Sequence, residues 1–596
     1  MKHIKLSIYE LIALGIIVGS VIIRLALISQ NWPWTDSDEG TYGIMAIHIA
    51  YQGAHPIFMY GAFYMGALQA YLGALMFHIF GPSLFSLRLG LLLLFVLFLV
   101  SLYLLTRALY SPGLALVTIA LLSLGSNYLL TYQLRSYGGY PDTLFFGTLM
   151  LLIASWLAIS SRSEVSARYM FQRCLGFGAW GLAAGLGIWS DQIILPFVAF
   201  SGLLLLLFCW RELLRILPTL CILLCLAIGM FPLIYYNLHA PAGHDSLHIL
   251  LGLQGHNRIN SNLLPQLRAT FQVSIPTITG EPLCPVNEVT VLRDPTSTHR
   301  LSCTLIHSAW SLAYLALFAS AIVLAAWTAW QAWRNWHRQK EDTEARPNLA
   351  RHIARLFLLG SAVLALSLYV ASPAPIGVPA NHARYIIGLL IATPAVLWPL
   401  WLNARTLTQK THGILRARSF ASALSFVLIG IFFLTGTIMN FQEIPTAQLY
   451  ARHDQALIAH LESMGVKHIY TSYWTCDKLA FLSQEKIICG VVVGNLFPTH
   501  NRYQHYYDIV KADPYPTFVF NFDDFKIIVR PLIAHNPAKY RVTLFEGWYI
   551  VQTHALPRII RKIIHSLKSN PPRGNHHLPG HFIPSSSIHL RIVELT

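Results

Sequence analysis

Apolar residues fill long, nearly unbroken blocks along most of the chain. Eleven blocks stand out, at residues 11–28, 84–105, 114–132, 143–159, 175–189, 193–209, 216–236, 309–332, 356–370, 386–402 and 420–439. Crossing a bilayer core takes roughly 20 apolar residues in a helix. Backbone amides in lipid must be satisfied within the segment, so these blocks predict transmembrane helices and not strands. The first block runs into Ser29-Gln30 without a small-residue cleavage site and reads as a retained helix.

The polar intervals fall into two kinds. One is short and basic: Lys2 and Lys5 ahead of the first block, Arg107, the run with Arg162, Arg168 and Arg173, the turn with Arg211 and Arg215, residues 334–355, and the loop with Arg405, Lys410, Arg416 and Arg418. The other is rich in Gly, Pro and Tyr: residues 31–81, 135–142, 237–307 and 373–385. The two kinds alternate. Excess Lys and Arg mark the cytoplasmic side, so the N-terminus is predicted inside and everything from residue 440 outside.

The expected fold class is therefore a polytopic α-helical membrane module over residues 1–440, with about eleven spans. Residues 441–596 are expected to form a small extracytoplasmic α/β domain with a mobile tail. Within it, helical spacing covers 447–464 and 474–482, and strand-like runs cover 467–471, 487–493, 517–521 and 541–545. A basic amphipathic stretch at 558–568 suits a lipid surface, and the chain from 570 is rich in Pro, Ser and His.

Composition sharpens this picture. Only 11% of residues are charged against 55% hydrophobic, and the mean hydropathy is +0.52, which excludes a soluble protein throughout. The net charge of +16 sits largely in the loops read as cytoplasmic. No basic, aromatic-rich soluble module accompanies it, so nucleic acid is not an expected partner. Cys284 and Cys303 share one outside segment, and Cys476 and Cys489 share another, which marks both pairs as disulfide candidates. Cys174, Cys209, Cys221 and Cys225 lie in or beside helices. His244, His248 and His256 form one histidine group and His576, His577 and His581 another. No tight ligand set accompanies either, and no metal site is assigned to them.

Candidate chemistry gathers at one end of the helices. Asp36, Asp38 and Glu39 follow the first span within four positions. Carboxylates crowded beside an apolar wall repel one another and lose hydration, which suits a general base. A solvated turn or helix N-cap would use the same residues. Arg135 and Asp142 flank Gly138-Gly139, and Asp191 ends the fifth block. Arg24, Arg88 and Arg384 lie in or beside apolar segments, where ionisable groups pair or line cavities. Arginine forks match phosphate oxygens. Tyr42, Tyr60, Tyr64 and Tyr140 suit either sugar stacking or an interfacial aromatic belt.

Several stretches together carry a family likeness. They are Asp38-Glu39 after the first span, Met59-Tyr60-Gly61-Ala62-Phe63-Tyr64-Met65-Gly66, Phe80-Gly81-Pro82-Ser83 with Leu87-Arg88-Leu89, Leu134 to Thr143, Gly185-Leu186-Gly187-Ile188-Trp189-Ser190-Asp191, and Arg384-Tyr385. Over roughly residues 8–400 the chain resembles the GT-C class of membrane glycosyltransferases. The likeness is to a bacterial subgroup of the family 39-like enzymes, which include protein O-mannosyltransferases and the aminoarabinose transferase of lipid A. The resemblance implies a bacterial plasma membrane, a polyprenyl-phosphate-linked sugar donor, an extracytoplasmic acceptor and inversion at the sugar carbon. It implies Asp38 as base, supported by Asp36 or Glu39. Arg135 and Arg384 would hold the departing phosphate, and Asp142, Tyr140, Asp191, Tyr385, Tyr60, Tyr64 and Arg88 would line the substrate site. It leaves a divalent metal open, because the oligosaccharyltransferase branch holds one with similar acids. Three positions depart from the pattern: Asp36 is a third acid, Asp142 stands where Glu is expected, and Gln69 where Glu is frequent. The alternative reading is a transporter or flippase of lipid-linked sugars. That would show internal repeats and midplane charges, and neither is legible here.

Overall fold

The computed structural model describes residues 7–161, 166–255, 263–284, 298–338, 344–406, 414–535 and 540–553. The expected amphipathic helix at 558–568, the tail beyond it, His256 and the His576, His577, His581 group lie outside the described residues.

Every predicted block is helical. In order come α1 (Ile8–Ser29), α2 (Ser37–Gln52), β1 (Phe58–Met59), β2 (Ala62–Gly66), α3 (Leu68–Phe80), α4 (Leu84–Leu109), α5 (Pro112–Leu122), α6 (Asn127–Leu134), α7 (Tyr140–Ser160), α8 (Ala167–Ser190), α9 (Leu195–Leu213) and α10 (Ile216–His239). There follow α11 (Ser246–Gly255), α12 (Leu264–Ala269), α13 (Ile275–Thr279), α14 (Thr298–Arg338), α15 (Ala345–Ala371), α16 (Ala374–Gly377), α17 (Pro379–His382), α18 (Thr393–Arg405), α19 (Ile414–Gln442) and α20 (Ile444–Ser463). Nine described helical segments are long and apolar enough to span a membrane. The bent pair α5–α6 makes a tenth. The remaining expected span, α8, is 24 residues long and is not among those segments. The chain is an integral membrane protein built on a helical module.

The third block differs most from expectation. It is not one straight span: α5 and α6 meet at 91° across residues 123–126. Ser123, Gly125 and Ser126 interrupt the apolar run there. Arg24, buried in α1, supplies donors to carbonyls freed at the break. Its Nη1 reaches Ser123 O at 2.8 Å and its Nη2 reaches Gln133 Oε1 at 2.6 Å, with Phe95 under the guanidinium at 3.6 Å. The cost of a charge inside a membrane segment is thus met by carbonyl, amide and ring acceptors.

The chain divides into two compact units. One comprises residues 1–458 together with 477–486, and the other 459–476 together with 487–596. In the second unit a six-stranded sheet runs in the order β5-β4-β3-β6-β8-β7. Its strands are β3 (His468–Thr471), β4 (Ile488–Val493), β5 (Phe497–Pro498), β6 (Thr517–Phe520), β7 (Tyr540–Phe545) and β8 (Trp548–Thr553). β3 pairs in parallel with β4 and β6, and the outer pairings are antiparallel. Central β6 is buried at all four positions, as a strand covered on both faces must be. Edge strand β7 is half-exposed or exposed throughout.

Candidate active site

Asp36 begins the site. It is the N-cap of α2, and its side chain accepts the Glu39 N–H at 3.0 Å, which satisfies one of the helix's orphan donors. Its other oxygen meets Arg135 Nη2 at 3.2 Å. Burial pushes the Asp36 carboxyl above the ordinary aspartate range; Arg135 opposes the rise, while the charges of Asp38 and Glu39 add to it. Asp38 is 8% exposed, in the same first turn. Glu39 is fully buried and takes a two-pronged bond from Arg88, Nε to Oε1 at 2.8 Å and Nη2 to Oε2 at 2.7 Å. Three carboxylates thus stand at a helix N-terminus, where the backbone dipole favours negative charge. Two of them hold arginines from α4 and from the end of α6.

The turn from Arg135 to Asp142 forms the other wall. Arg135 donates to Trp34 O at 3.2 Å and rests over the Tyr137 ring, 4.6 Å from its centre. Arg384 rests over the same ring, also at 4.6 Å, and lies 5.5 Å from both Tyr140 and Tyr385. Its Nη1 donates to Asn381 Oδ1 at 2.9 Å. The Nε atoms of both arginines find no hydrogen-bond partner among the described residues. Two guanidinium groups from distant parts of the chain therefore share one aromatic surface, each with donor capacity to spare.

Gly139 sets the width of this turn. A Cβ there would stand 2.5 Å from Asp191 Cβ and 2.9 Å from Ser190 O. Close approach requires glycine. The Asp191 carboxylate accepts the Ile193 N–H at 3.2 Å. Burial pushes its carboxyl up to about 6, opposed by the N–H groups of Ile193 and Gly139 and by Arg384. Asp142, in the first turn of α7, takes a 3.1 Å bond from Gln69 Nε2, which also donates to Gly138 O at 2.5 Å. Its Oδ1 has no partner among the described residues.

The structure thus brings Asp36, Arg135, Asp142, Tyr140, Asp191, Arg384 and Tyr385 around residues 135–142, with Asp38 beside Asp36. Arg88 is sealed from solvent and paired with Glu39, which joins α2 to α4. Tyr60 and Tyr64 lie on the β1–β2 hairpin. The Tyr60 hydroxyl pairs with His48 Nδ1 at 2.9 Å, and the Tyr64 carbonyl accepts Gln192 Nε2 at 3.0 Å. Cys284 is joined to Cys303 and Cys476 to Cys489, while Cys174, Cys209, Cys221 and Cys225 are free thiols. Sequence reasoning missed Tyr137, the ring both arginines share, although it lies inside the quoted Arg135–Asp142 turn. Asn381 went unnoticed too; only its closeness to Arg384 in the chain pointed to it.

The first-loop acids do not fit a divalent cation. Glu39 spends both oxygens on Arg88 and Asp36 spends one on Arg135. Among the described residues none of the three belongs to a group of three metal-donor side chains within ligand distance. A cation would have to displace two guanidinium groups.

No family model matches the chain, and no curated protein matches it by sequence. Solved structures do match by shape. The crystal structure of ArnT from Cupriavidus metallidurans bound to undecaprenyl phosphate superposes with a TM-score of 0.53 at 12% identity, covering 90% of this chain and 97% of that one. Its apo state gives 0.52 at the same identity and coverage. An Archaeoglobus fulgidus oligosaccharyltransferase, crystallised with Zn and sulfate, aligns at 0.46 and 12% identity, covering 90% of this chain and 72% of that one. The fold is that of GT-C membrane proteins.

Proposed function

We propose that this protein is a membrane glycosyltransferase that moves a sugar from a polyprenyl-phosphate carrier to an acceptor on the extracytoplasmic side. The observation that carries the reading is the pair Arg135 and Arg384, both 4.6 Å from the centre of the Tyr137 ring and both with unused donors. A phosphate leaving group gathers negative charge as its bond to the sugar breaks, and preorganised guanidinium groups stabilise that charge. Undecaprenyl phosphate is the ligand named for the ArnT structure of like fold, which makes a polyprenyl phosphate the natural probe for this chain.

In this mechanism the acceptor hydroxyl or amine attacks the anomeric carbon as the carbon–oxygen bond to phosphate breaks, with inversion. Asp38 takes the acceptor's proton. Asp36 tethers Arg135, and Glu39 with Arg88 fixes the helix that presents Asp38. Asp142, Asp191, Tyr140 and Tyr385 meet the sugar, since buried carboxylates and ring faces suit its hydroxyl groups and C–H faces.

The test is transfer in proteoliposomes supplied with radiolabelled polyprenyl-phosphate pentose or hexose and a lipid extract as acceptor. Label should move to the acceptor with wild-type protein, and Asp38→Asn should lower the rate at least about hundredfold with the fold intact. Full activity in that variant would reject Asp38 as base. Movement of intact donor across the bilayer without chemistry would favour the transporter reading.

A further inference from the structure

Residues 477–486 belong to the membrane unit although they lie far along the chain from its helices. They run along α2, the helix whose first turn carries Asp38. At that end the Thr41 hydroxyl donates to Asp477 Oδ2 at 2.7 Å, across 436 positions of sequence. A Cβ on Gly40 would come within 2.5 Å of the Asp477 carbonyl carbon and 2.6 Å of the Lys478 nitrogen. One turn on, a Cβ on Gly43 would meet the Phe481 ring at 2.4 Å, and that ring stacks on Phe77 of α3. At the far end of α2, His48 is 3% exposed and its Nε2 lies 2.8 Å from Glu485 Oε1. Gln52 Nε2 donates to Glu485 Oε2 at 3.1 Å. Gln484 and Glu485 both hold left-handed backbone, with φ of 52° and 62°. Strain of this kind in residues other than glycine persists only where the surroundings over-determine it.

We propose that the segment 477–486 is a positioning brace for the acid-bearing helix α2, with Asp477 and Glu485 as its two fastening points. The role of α2 in catalysis rests on the function proposed above. The N-cap carboxylate of α2 and the two in its first turn repel one another, and the Asp36–Arg135 and Glu39–Arg88 pairs secure only that end. The brace supplies the opposing grip, with backbone against Gly40 at one end and carboxylate against His48 and Gln52 at the other. A shift of about 1 Å at a reacting group can cost on the order of a hundredfold in rate.

The test uses the full chain in phospholipid nanodiscs. Amide hydrogen exchange of residues 37–48 and binding of undecaprenyl phosphate are measured for wild type, Asp477→Ala, Asp477→Asn and Glu485→Ala. Loss of one charge-assisted hydrogen bond should speed exchange across α2 about tenfold and weaken undecaprenyl phosphate binding by a similar factor in Asp477→Ala. Exchange in α4 and α7 should stay at the wild-type rate. Asp477→Asn, which keeps a carbonyl acceptor for Thr41, should restore both readouts. Wild-type exchange rates in α2 for both alanine variants would overturn the brace, as would equal losses in the Ala and Asn variants. Faster α2 exchange in a protein whose wild type binds no undecaprenyl phosphate would uphold the brace and overturn the functional reading instead.

Discussion

At the scale of the residue, buried charge in this protein is met by an opposite charge or by carbonyl, amide and ring acceptors, and each placement has a measurable consequence. Glu39 and Arg88 are both fully buried and joined by two hydrogen bonds. Removing one partner leaves the other as an uncompensated buried charge, which costs roughly 3–5 kcal/mol. Glu39→Gln should therefore lower unfolding stability by about that much, read as a fall in melting temperature in detergent, while Arg107→Gln at the exposed Glu10 pair should change little. Asp36 is tunable in a different way. Its carboxyl titrates above the ordinary range, chiefly through burial. As pH falls through that raised value Asp36 becomes neutral and releases Arg135, so phosphate binding should tighten. Above it the ionised carboxylate competes with the phosphate for the same guanidinium. Undecaprenyl phosphate affinity measured across pH should show this gain on acidification in wild type, and Asp36→Asn should remove that component and leave those of Asp191 and of the phosphate itself. An unchanged pH profile in the variant would sever Asp36 from the site.

At the scale of the element, helix contacts depend on small residues. A Cβ on Gly185 of α8 would stand 2.4 Å from the Leu226 carbonyl oxygen and 2.9 Å from Gly229 Cα on α10. Helices in lipid gain most from such close backbone approach. Gly185→Val should force them apart at a cost of about 1–3 kcal/mol, measured by unfolding in detergent, whereas Gly252→Val, where a Cβ meets nothing within 4 Å, should not. This scale also shows what the sequence could and could not disclose. Block length and hydropathy located all eleven helical segments, because a bilayer crossing needs a long apolar run. The tail strands at 467–471, 487–493, 517–521 and 541–545 overlap β3, β4, β6 and β7 for the same reason of local pattern. The 91° break between α5 and α6 was not legible, since its stabilising partner is Arg24, about 100 positions upstream. Strand β8 and the helix at Gln504–Ala512 also escaped notice. The acids and arginines of the site were legible as residue types at helix ends. Their partners were not: nothing local ties Asp36 to Arg135, Glu39 to Arg88, or Thr41 to Asp477. Arg88 illustrates the gap: it stands in an apolar run, and its carboxylate partner Glu39 lies 49 positions away.

At the scale of the whole molecule, the membrane unit gathers chemistry from both ends of the chain. Asp36 and Asp38 follow the first span, Arg135 and Asp142 flank the start of α7, Asp191 follows α8, and Arg384 precedes α18. A transporter would hold its charges near the middle of the bilayer between repeated halves. Here they stand at helix ends around one glycine-bearing turn, as the glycosyltransferase reading proposed above requires. The direct measurement is an experimental structure of the full chain with undecaprenyl phosphate. The account predicts the phosphate between Arg135 and Arg384, against Tyr137 and beside Asp36. A phosphate bound away from both arginines, or midway through the helical bundle, would contradict it.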